Sequence, residues 1–368
     1  MKKYGLKYFI FFLPFLMAVG IELFLLPIDF FTFRGWETLV RQRSYGILKG
    51  PFYPNMTIIK TEEGGDLKPS PSCVVKKKDV VWQTDAYGYR KAASSVQIYP
   101  IIVVGDSNTA GGGLSQSEMF SEVLEMRVGK SVYPLAPESA KYIFKHGLLK
   151  RAKPDVIILE NIERGILTGN FKIPPDADFR ELSFPDKIIW SIRLHPTVQS
   201  VAIHIDRALK ANMIHYVKAR LNSRKSPEIV DATGNPCPML FIQGKTANRE
   251  IPENIRHQAA LNIKQLSDFF TSKGIRFIFL PIPNKENIYY RELGTPKPVF
   301  LEKLIVELRN MGVEVVDTQK IFEEITHRSS THLYHRDDTH WNATGVETAV
   351  SLIEEALRTP PPPPNSQQ

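Results

Sequence analysis

Four β-branched residues in a row, Ile101-Ile102-Val103-Val104, run directly into Gly105-Asp106-Ser107-Asn108-Thr109. A strand with no polar residue on either face has to be covered on both, as in the middle of a parallel sheet. Asp155-Val156-Ile157-Ile158-Leu159 and Phe277-Ile278-Phe279-Leu280 repeat the pattern, Val132-Tyr133-Pro134-Leu135 repeats it weakly, and residues 313–316 close the series. Stretches of helical spacing lie between and after them, at 117–126, 140–151, 255–270, 299–311 and 343–357. Within 255–270 the apolar positions Ile255, Ala259, Ile263, Leu266 and Phe270 share one helical face. Strands alternating with helices of this length predict an α/β fold with a right-handed parallel sheet. Reactive groups then belong at the carboxyl ends of the strands.

The amino terminus sets a different requirement. Lys2, Lys3 and Lys7 precede an apolar run from Tyr8 to Ile28 that is broken only by Glu22. As a helix it spans roughly 30 Å, the thickness of the hydrocarbon layer. The charges before it predict that the start stays in the cytoplasm and the bulk is exported. A cleaved signal peptide is the competing reading, because Ala18-Val19-Gly20 offers small residues for a peptidase. The apolar residues continue past that point, which favours an uncleaved transmembrane helix. Glu22 is expected either to contact a membrane partner or to snorkel to the outer interface.

The rest of the composition is that of a globular protein, with 43% hydrophobic and 23% charged residues. It excludes wholesale disorder, a collagen and a many-helix membrane protein. The formal charge is +8, from 47 Lys and Arg against 39 Asp and Glu, but the basic residues are scattered and carry no nucleic-acid signature. Cys73 and Cys237 suit one bridge or two thiols equally. The expected organisation is an anchor over 1–30, a juxtamembrane segment over 31–95, a catalytic domain over 96–358 and a disordered proline-rich tail over 359–368. An insertion at about 165–250 departs from the strand–helix rhythm. There Val201, Ile205, Leu209, Met213, Val217 and Leu221 predict one long helix with Arg207, Lys210, Lys218 and Arg220 on its polar face. It is expected to cap the core or to line a groove for an anionic substrate.

Two stretches carry chemistry. A serine at a strand-to-helix turn, as Ser107 would be, exposes its hydroxyl and offers its N–H at a positive helix start. The second stretch is His332-Leu333-Tyr334-His335-Arg336-Asp337-Asp338-Thr339-His340-Trp341-Asn342. A serine needs a base to take its proton, and the base needs an acid to hold its tautomer. In an extended segment Asp338 and His340 point the same way and can meet. The competing readings are a zinc site from His332, His335 and His340, or a polar surface loop with Trp341 as a packing residue.

Gly-Asp-Ser early and Asp-Thr-His-Trp-Asn late resemble the SGNH (GDSL-type) hydrolase superfamily, and within it the alginate O-acetyltransferase group. The similarity extends to Trp82–Arg90, to Glu160-Asn161-Ile162-Glu163-Arg164 and to Pro281–Tyr290. The resemblance implies a flavodoxin-like α/β/α domain with Ser107 as nucleophile, His340 as base and Asp338 as its orienting partner. Asp337, at the Asp-x-x-His spacing of the wider superfamily, is the rival for that last role. The superfamily's oxyanion blocks are altered here, so Ser139 and Asn161 are expected as donors, with Arg164 and Trp341 near the substrate. Lys285 and Tyr290 are expected to contact sugar or to cap the sheet.

The resemblance implies a single-pass protein of the bacterial inner membrane whose catalytic domain is periplasmic or otherwise extracytoplasmic. It would transfer an acyl group, acetyl first among them, to a polysaccharide acceptor. The acyl group would be supplied by a membrane-bound acyltransferase partner (MBOAT-type), with no cofactor, no metal and no nucleic acid involved. An esterase, or a non-catalytic polysaccharide-binding subunit, is the alternative.

Overall fold

The computed structural model describes residues 2–42, 47–62, 64–67, 78–92, 98–144, 154–169, 171–174, 177, 183–223, 239–329 and 331–360. Cys73, Cys237 and the tail beyond Pro360 lie outside them.

Strands β3 (Ile101–Val104), β4 (Val132–Leu135), β5 (Val156–Ile162) and β6 (Arg276–Ile282) form one parallel sheet in the order β4-β3-β5-β6. Ile101 pairs with Val132 on one side and Val156 on the other, and Val156 pairs with Arg276. Pro134 cannot donate to a ladder, and it is tolerated because β4 is an edge strand. The expected fifth strand at 313–316 is reduced to a bridge between Phe279 and Val315. Asp317 ends it by turning its carboxylate onto the Lys320 N–H to cap the next helix.

Alternation along the strands sorts the core into two layers. Ile102, Val104, Ile157, Leu159, Phe277 and Phe279 face a cluster with Ile263, Phe270 and Leu304, brought by α8 (Glu253–Ser272) and α10 (Phe300–Asn310). Ile101, Val103, Ile158, Ile278 and Leu280 face Val123, Phe322 and Val350, brought by α3 (Phe120–Val128), α11 (Thr318–Arg328) and α12 (Ala343–Arg358). Burying each of these side chains contributes about 1.5–3 kcal/mol, so both helical layers are held by apolar contact with the same strands. This is the α/β arrangement with a parallel sheet covered on both faces that the sequence predicts. Of the expected 140–151 helix, Ala140–Phe144 forms a single 3-10 turn and residues 145–151 are outside the described set.

The segment before the sheet has its own small core. An antiparallel pair, β1 (Thr57–Glu62) and β2 (Lys78–Gln83), packs Val80 and Trp82 against Phe52, Tyr53 and Leu39 of the short helix α2 (Gly35–Leu39). Arg90 is fully buried there, with its guanidinium 3.6 Å from the Trp82 ring centroid. It donates to the carbonyls of Val81, Ala110, Gly111 and Leu114. One side chain thus ties this segment to the turn that follows Ser107.

Helix α1 (Lys2–Phe24) is long and apolar enough to cross a membrane and is almost entirely uncovered by the rest of the protein. The insertion continues the chain after the short helix α4 (Glu163–Thr168) with α5 (Phe184–Leu194), α6 (Pro196–Lys210) and α7 (Asn212–Ser223). The single helix expected over 201–221 is therefore two. Ala211 adopts a left-handed conformation (φ 48°), which no continuing helix tolerates. The expected basic face also differs. Arg207 is buried and donates to the Glu22 carbonyl, and Lys210 donates to the carbonyls of Glu37 and Val40. Glu22 is buried in turn, its carboxylate accepting from the Met213 N–H, so its contact lies within the chain.

Candidate active site

Ser107 stands in the loop that leaves β3 at the carboxyl edge of the sheet. The Asp106 carboxylate accepts from the N–H and side-chain amide of Asn108 and from the N–H of Ile162. Glu160 is fully buried and accepts from the Asp106 N–H at 3.0 Å and the Thr109 hydroxyl at 2.7 Å. Burial, followed by the Asp106 charge, pushes the Glu160 carboxyl well above the usual range. The loop is thereby pinned from β5. No helix begins at Ser107, contrary to expectation: the next α-helix starts at Phe120. Gly111 and Gly113 have φ of +75° and +70°, values that interrupt any helix, so no helix dipole acts on the serine. The Ser107 N–H has no hydrogen-bond acceptor among the described residues.

His340 comes from a loop closed by the bridge between Tyr334 and Trp341. Its Nε2 lies 2.7 Å from Ser107 Oγ, and its Nδ1 is hydrogen-bonded to Asp338 Oδ1, which also accepts from the His340 backbone N–H at 3.0 Å. These partners fit the tautomer in which Nδ1–H donates to the carboxylate and Nε2 accepts from the hydroxyl. Burial disfavours the charged imidazole, but the Asp338 charge and hydrogen bond, with Asp66 and Asp106 behind them, outweigh it and raise the His340 pKa. For Asp338, burial opposes ionisation, yet His340 holds its carboxyl well below the usual range. A Cβ on Gly112 would lie 2.8 Å from the His340 ring, so the ring seats against bare backbone.

Sequence reading missed the support beneath this pair. The Asp66 N–H donates to Asp338 Oδ2 at 3.1 Å, while the Asp66 carboxylate accepts from the Thr339 N–H and hydroxyl at 2.9 and 2.7 Å. The Gly65 N–H donates to Asp337 Oδ2 at 2.7 Å, so Asp337 is engaged away from His340. Lys285 is buried and donates to the carbonyls of His335, Arg336 and Asp338. Burial lowers its pKa to about 8. It holds the loop that carries Asp338, a role different from either one expected of it. No local pattern around Gly64-Gly65-Asp66 signals any of these contacts.

The other expected residues are placed unevenly. Ser139 follows Glu138, whose N–H donates to the Gly105 carbonyl, so its loop adjoins the Ser107 turn. Its hydroxyl is buried without a partner among the described residues, and its N–H is likewise unpaired there. Asn161 has its Oδ1 against Gly165, and among the described residues no hydrogen bond joins it to the Ser107 turn. It neighbours Glu160 on β5, so its side chain leaves the opposite face of the strand from the one that holds the turn. Arg164 bonds to Asn284 and lines a separate cavity of about 280 Å³ with Glu163, Gln243, Arg249 and Phe300. Trp341 is fully buried, stacked on Phe120 and donating to the Asn108 carbonyl, so it packs the core and does not face a substrate. Tyr290 is half-buried and accepts from Arg291.

The three histidines do not converge among the described residues. His332 meets Arg336, and the one group whose donor atoms cluster is Asp66, Asp338 and His340. The carboxylate oxygens of that group already accept N–H and O–H donors, which suits a hydrogen-bonded relay better than a metal site.

Residues 240–368 match the family model described as SGNH hydrolase-like domain, acetyltransferase AlgX, a span that includes Lys285, Asp338 and His340 but not Ser107. No curated protein matches the sequence significantly. Similar solved structures include a lipase/acylhydrolase from Enterococcus faecalis, at 12% identity over 72% of this chain and 100% of that one, with a TM-score of 0.36. A GDSL-like lipase from Bacteroides thetaiotaomicron matches at 8% identity over 70% of this chain and 86% of that one, with a TM-score of 0.33. TM-scores this low carry no conclusion about this chain. Over residues 240–368 the chain is similar to the family described as SGNH hydrolase-like domain, acetyltransferase AlgX.

Proposed function

We propose that the chain is an O-acyltransferase, held in the bacterial inner membrane by α1, that acetylates a secreted or cell-wall polysaccharide outside the cytoplasm. The observation that carries this reading is the 2.7 Å hydrogen bond between Ser107 Oγ and His340 Nε2, with Asp338 on the other ring nitrogen. In the proposed reaction Ser107 Oγ attacks the acyl carbonyl of a donor as His340 Nε2 takes its proton. The tetrahedral oxyanion is met by the N–H groups of Ser107 and Ser139, which have no other acceptor among the described residues. The intermediate collapses, the leaving group takes the proton from His340, and an acyl-serine remains. A sugar hydroxyl then gives its proton to His340 and attacks the acyl carbon; the second tetrahedral intermediate collapses, Ser107 Oγ takes that proton from His340 as it leaves, and the new ester is released.

Water at about 55 M competes for the same intermediate, and an acceptor held in place prevails because positioning supplies effective molarities of about 10⁵ M or more. A membrane-bound acyltransferase is the donor that fits an anchored, exported domain. The test is a purified full-length protein given an activated acetyl ester with and without polysaccharide fragments. Slow acetate release that is diverted onto sugar, and lost in Ser107→Ala, is the expected result. Fast release of acetate from an acetylated glycan, with no transfer at any acceptor concentration, would assign the esterase activity instead.

A further inference from the structure

Helix α6 is built inside out for a protein in water. Towards the protein it buries Gln199, Asp206 and Arg207, at 5%, 3% and 8% exposure. Towards the outside it presents Val201, Ile205 and Leu209, at 55%, 49% and 47%. Each of these buried side chains has a partner: Asp206 accepts from Tyr53 Oη at 2.7 Å and from the Gln42 N–H, Gln199 accepts from Asn55, and Arg207 donates through Nη2 to the Glu22 carbonyl, its Nε alone lacking an acceptor among the described residues. The inversion is therefore specified by the fold, and it leaves the apolar face with no cover among the described residues. The neighbouring helices extend it, with Phe184, Ile188, Ile189 and Ile192 on α5 and Ile214, Val217 and Leu221 on α7, all exposed.

This surface is continuous with the helix that reaches the membrane. The Phe24 ring stacks on His204 at 6.1 Å between centroids, Arg207 donates to the Glu22 carbonyl, and the Met213 N–H donates to the Glu22 carboxylate. The last turn of α1 is thus packed on α6 and the start of α7, which places their outer faces at the depth where a membrane-spanning helix emerges. Lys187, Lys218 and Arg220 are exposed on the same helices. Apolar faces flanked by basic residues are how helices lie in the plane of a bilayer surface with anionic lipid.

We propose that α5, α6 and α7 form a membrane-interface platform whose apolar face is embedded among the lipids of the leaflet from which α1 emerges. The proposal rests on the reading of α1 as a membrane anchor. It gives the insertion a mechanical role: the platform and α1 together fix the height and tilt of the catalytic domain above the bilayer. A rigid mount of this kind suits an enzyme whose donor is handed over at the membrane.

The test uses full-length protein in vesicles of phosphatidylcholine and phosphatidylglycerol, with Cys73→Ser and Cys237→Ser as background. Single cysteines at Ile188, Ile205 or Val217, each carrying a fluorescent label, report contact with a mixture of lipids brominated near the glycerol and lipids brominated in mid-chain. Leu13→Cys in α1 and Met126→Cys on α3 are the controls. Strong loss of fluorescence at all three platform positions and at Leu13, with none at Met126, is the expected result. If Leu13 is quenched while the platform labels stay bright, the platform proposal is overturned and the anchor stands; such a face would then await a protein partner absent from the vesicles. If Leu13 is not quenched either, the anchor reading fails and the proposal falls with it.

Discussion

Asp66 holds Asp338 through its backbone: its N–H donates to Asp338 Oδ2 at 3.1 Å across 272 residues of sequence. Its own carboxylate then grips the N–H and hydroxyl of Thr339, the residue between Asp338 and His340. The segment joining the apolar helix to the sheet therefore supplies part of the mounting for the aspartate–histidine pair. Burial, and after it the Asp338 charge, raises the Asp66 pKa, and Asp66 in turn is among the groups that raise that of His340.

Replacing Asp66 by Asn removes the charge and keeps the backbone N–H. His340 then loses one source of its raised pKa, so its neutral, basic form persists to lower pH. The acid limb of the kcat/KM profile should move to lower pH, and turnover should fall by up to about 10²-fold through loosened geometry. A fall in turnover with the limb unmoved would mean that Asp66 acts on structure alone.

Asp338 and Asp337 should separate cleanly. Asp338→Asn deprives His340 of its orienting acceptor, and by the precedent of serine–histidine–aspartate enzymes turnover should fall by about 10⁴. Asp337→Asn weakens the bond from Gly65 and removes a charge near Lys285 and His335, and should cost at most about 1–3 kcal/mol of stability with modest loss of rate. Turnover and Tm measured on both variants check this, and the reverse ranking would exchange the two roles.

Trp341 offers a test of packing against recognition. With the ring buried on Phe120, Trp341→Ala should lower stability by about 3–5 kcal/mol. Trp341→Phe should recover much of that stability. Urea unfolding together with KM for the acceptor distinguishes the cases, since a substrate contact would raise KM in the Phe variant without destabilising it.

Glu163 gives a pH signature away from the serine. It is buried, accepts from the Asn284 N–H and the Asn287 amide, and burial raises its pKa to about 7. The folded state thus holds its proton more tightly than the unfolded chain. That stability is complete below the ordinary carboxyl value and is lost as pH rises towards 7, by on the order of 3 kcal/mol. Glu163→Gln can accept the same two bonds without ionising, so its Tm should fall less than the parent's between pH 4.5 and 7.5. Parallel curves for the two proteins would contradict the assignment.

Local pattern carried the layered sheet and the apolar helix, because strand burial and helix periodicity are written in neighbouring residues. Ile101–Val104 and Phe277–Leu280 are apolar on both faces and form full strands, the first inside the sheet and the second outermost, where Val313–Val316, cut short by the cap at Asp317, adds only a bridge. Local pattern also marked Ser107, Asp338 and His340 as residue types that could work together. Their meeting is a tertiary fact, as 233 residues separate the hydroxyl from the imidazole that it touches. The same holds for what sequence left unread or misread. Asp66 reaches the site from the connection between β1 and β2, and Arg164 lines another cavity, its backbone N–H bonded to Asn284. The long helix breaks at Ala211 so that α6 and α7 can both close on Glu22. Periodicity located the apolar stripe of the insertion but not the side it faces, because an amphipathic helix has the same pattern whether its apolar stripe meets a protein core or a lipid leaflet.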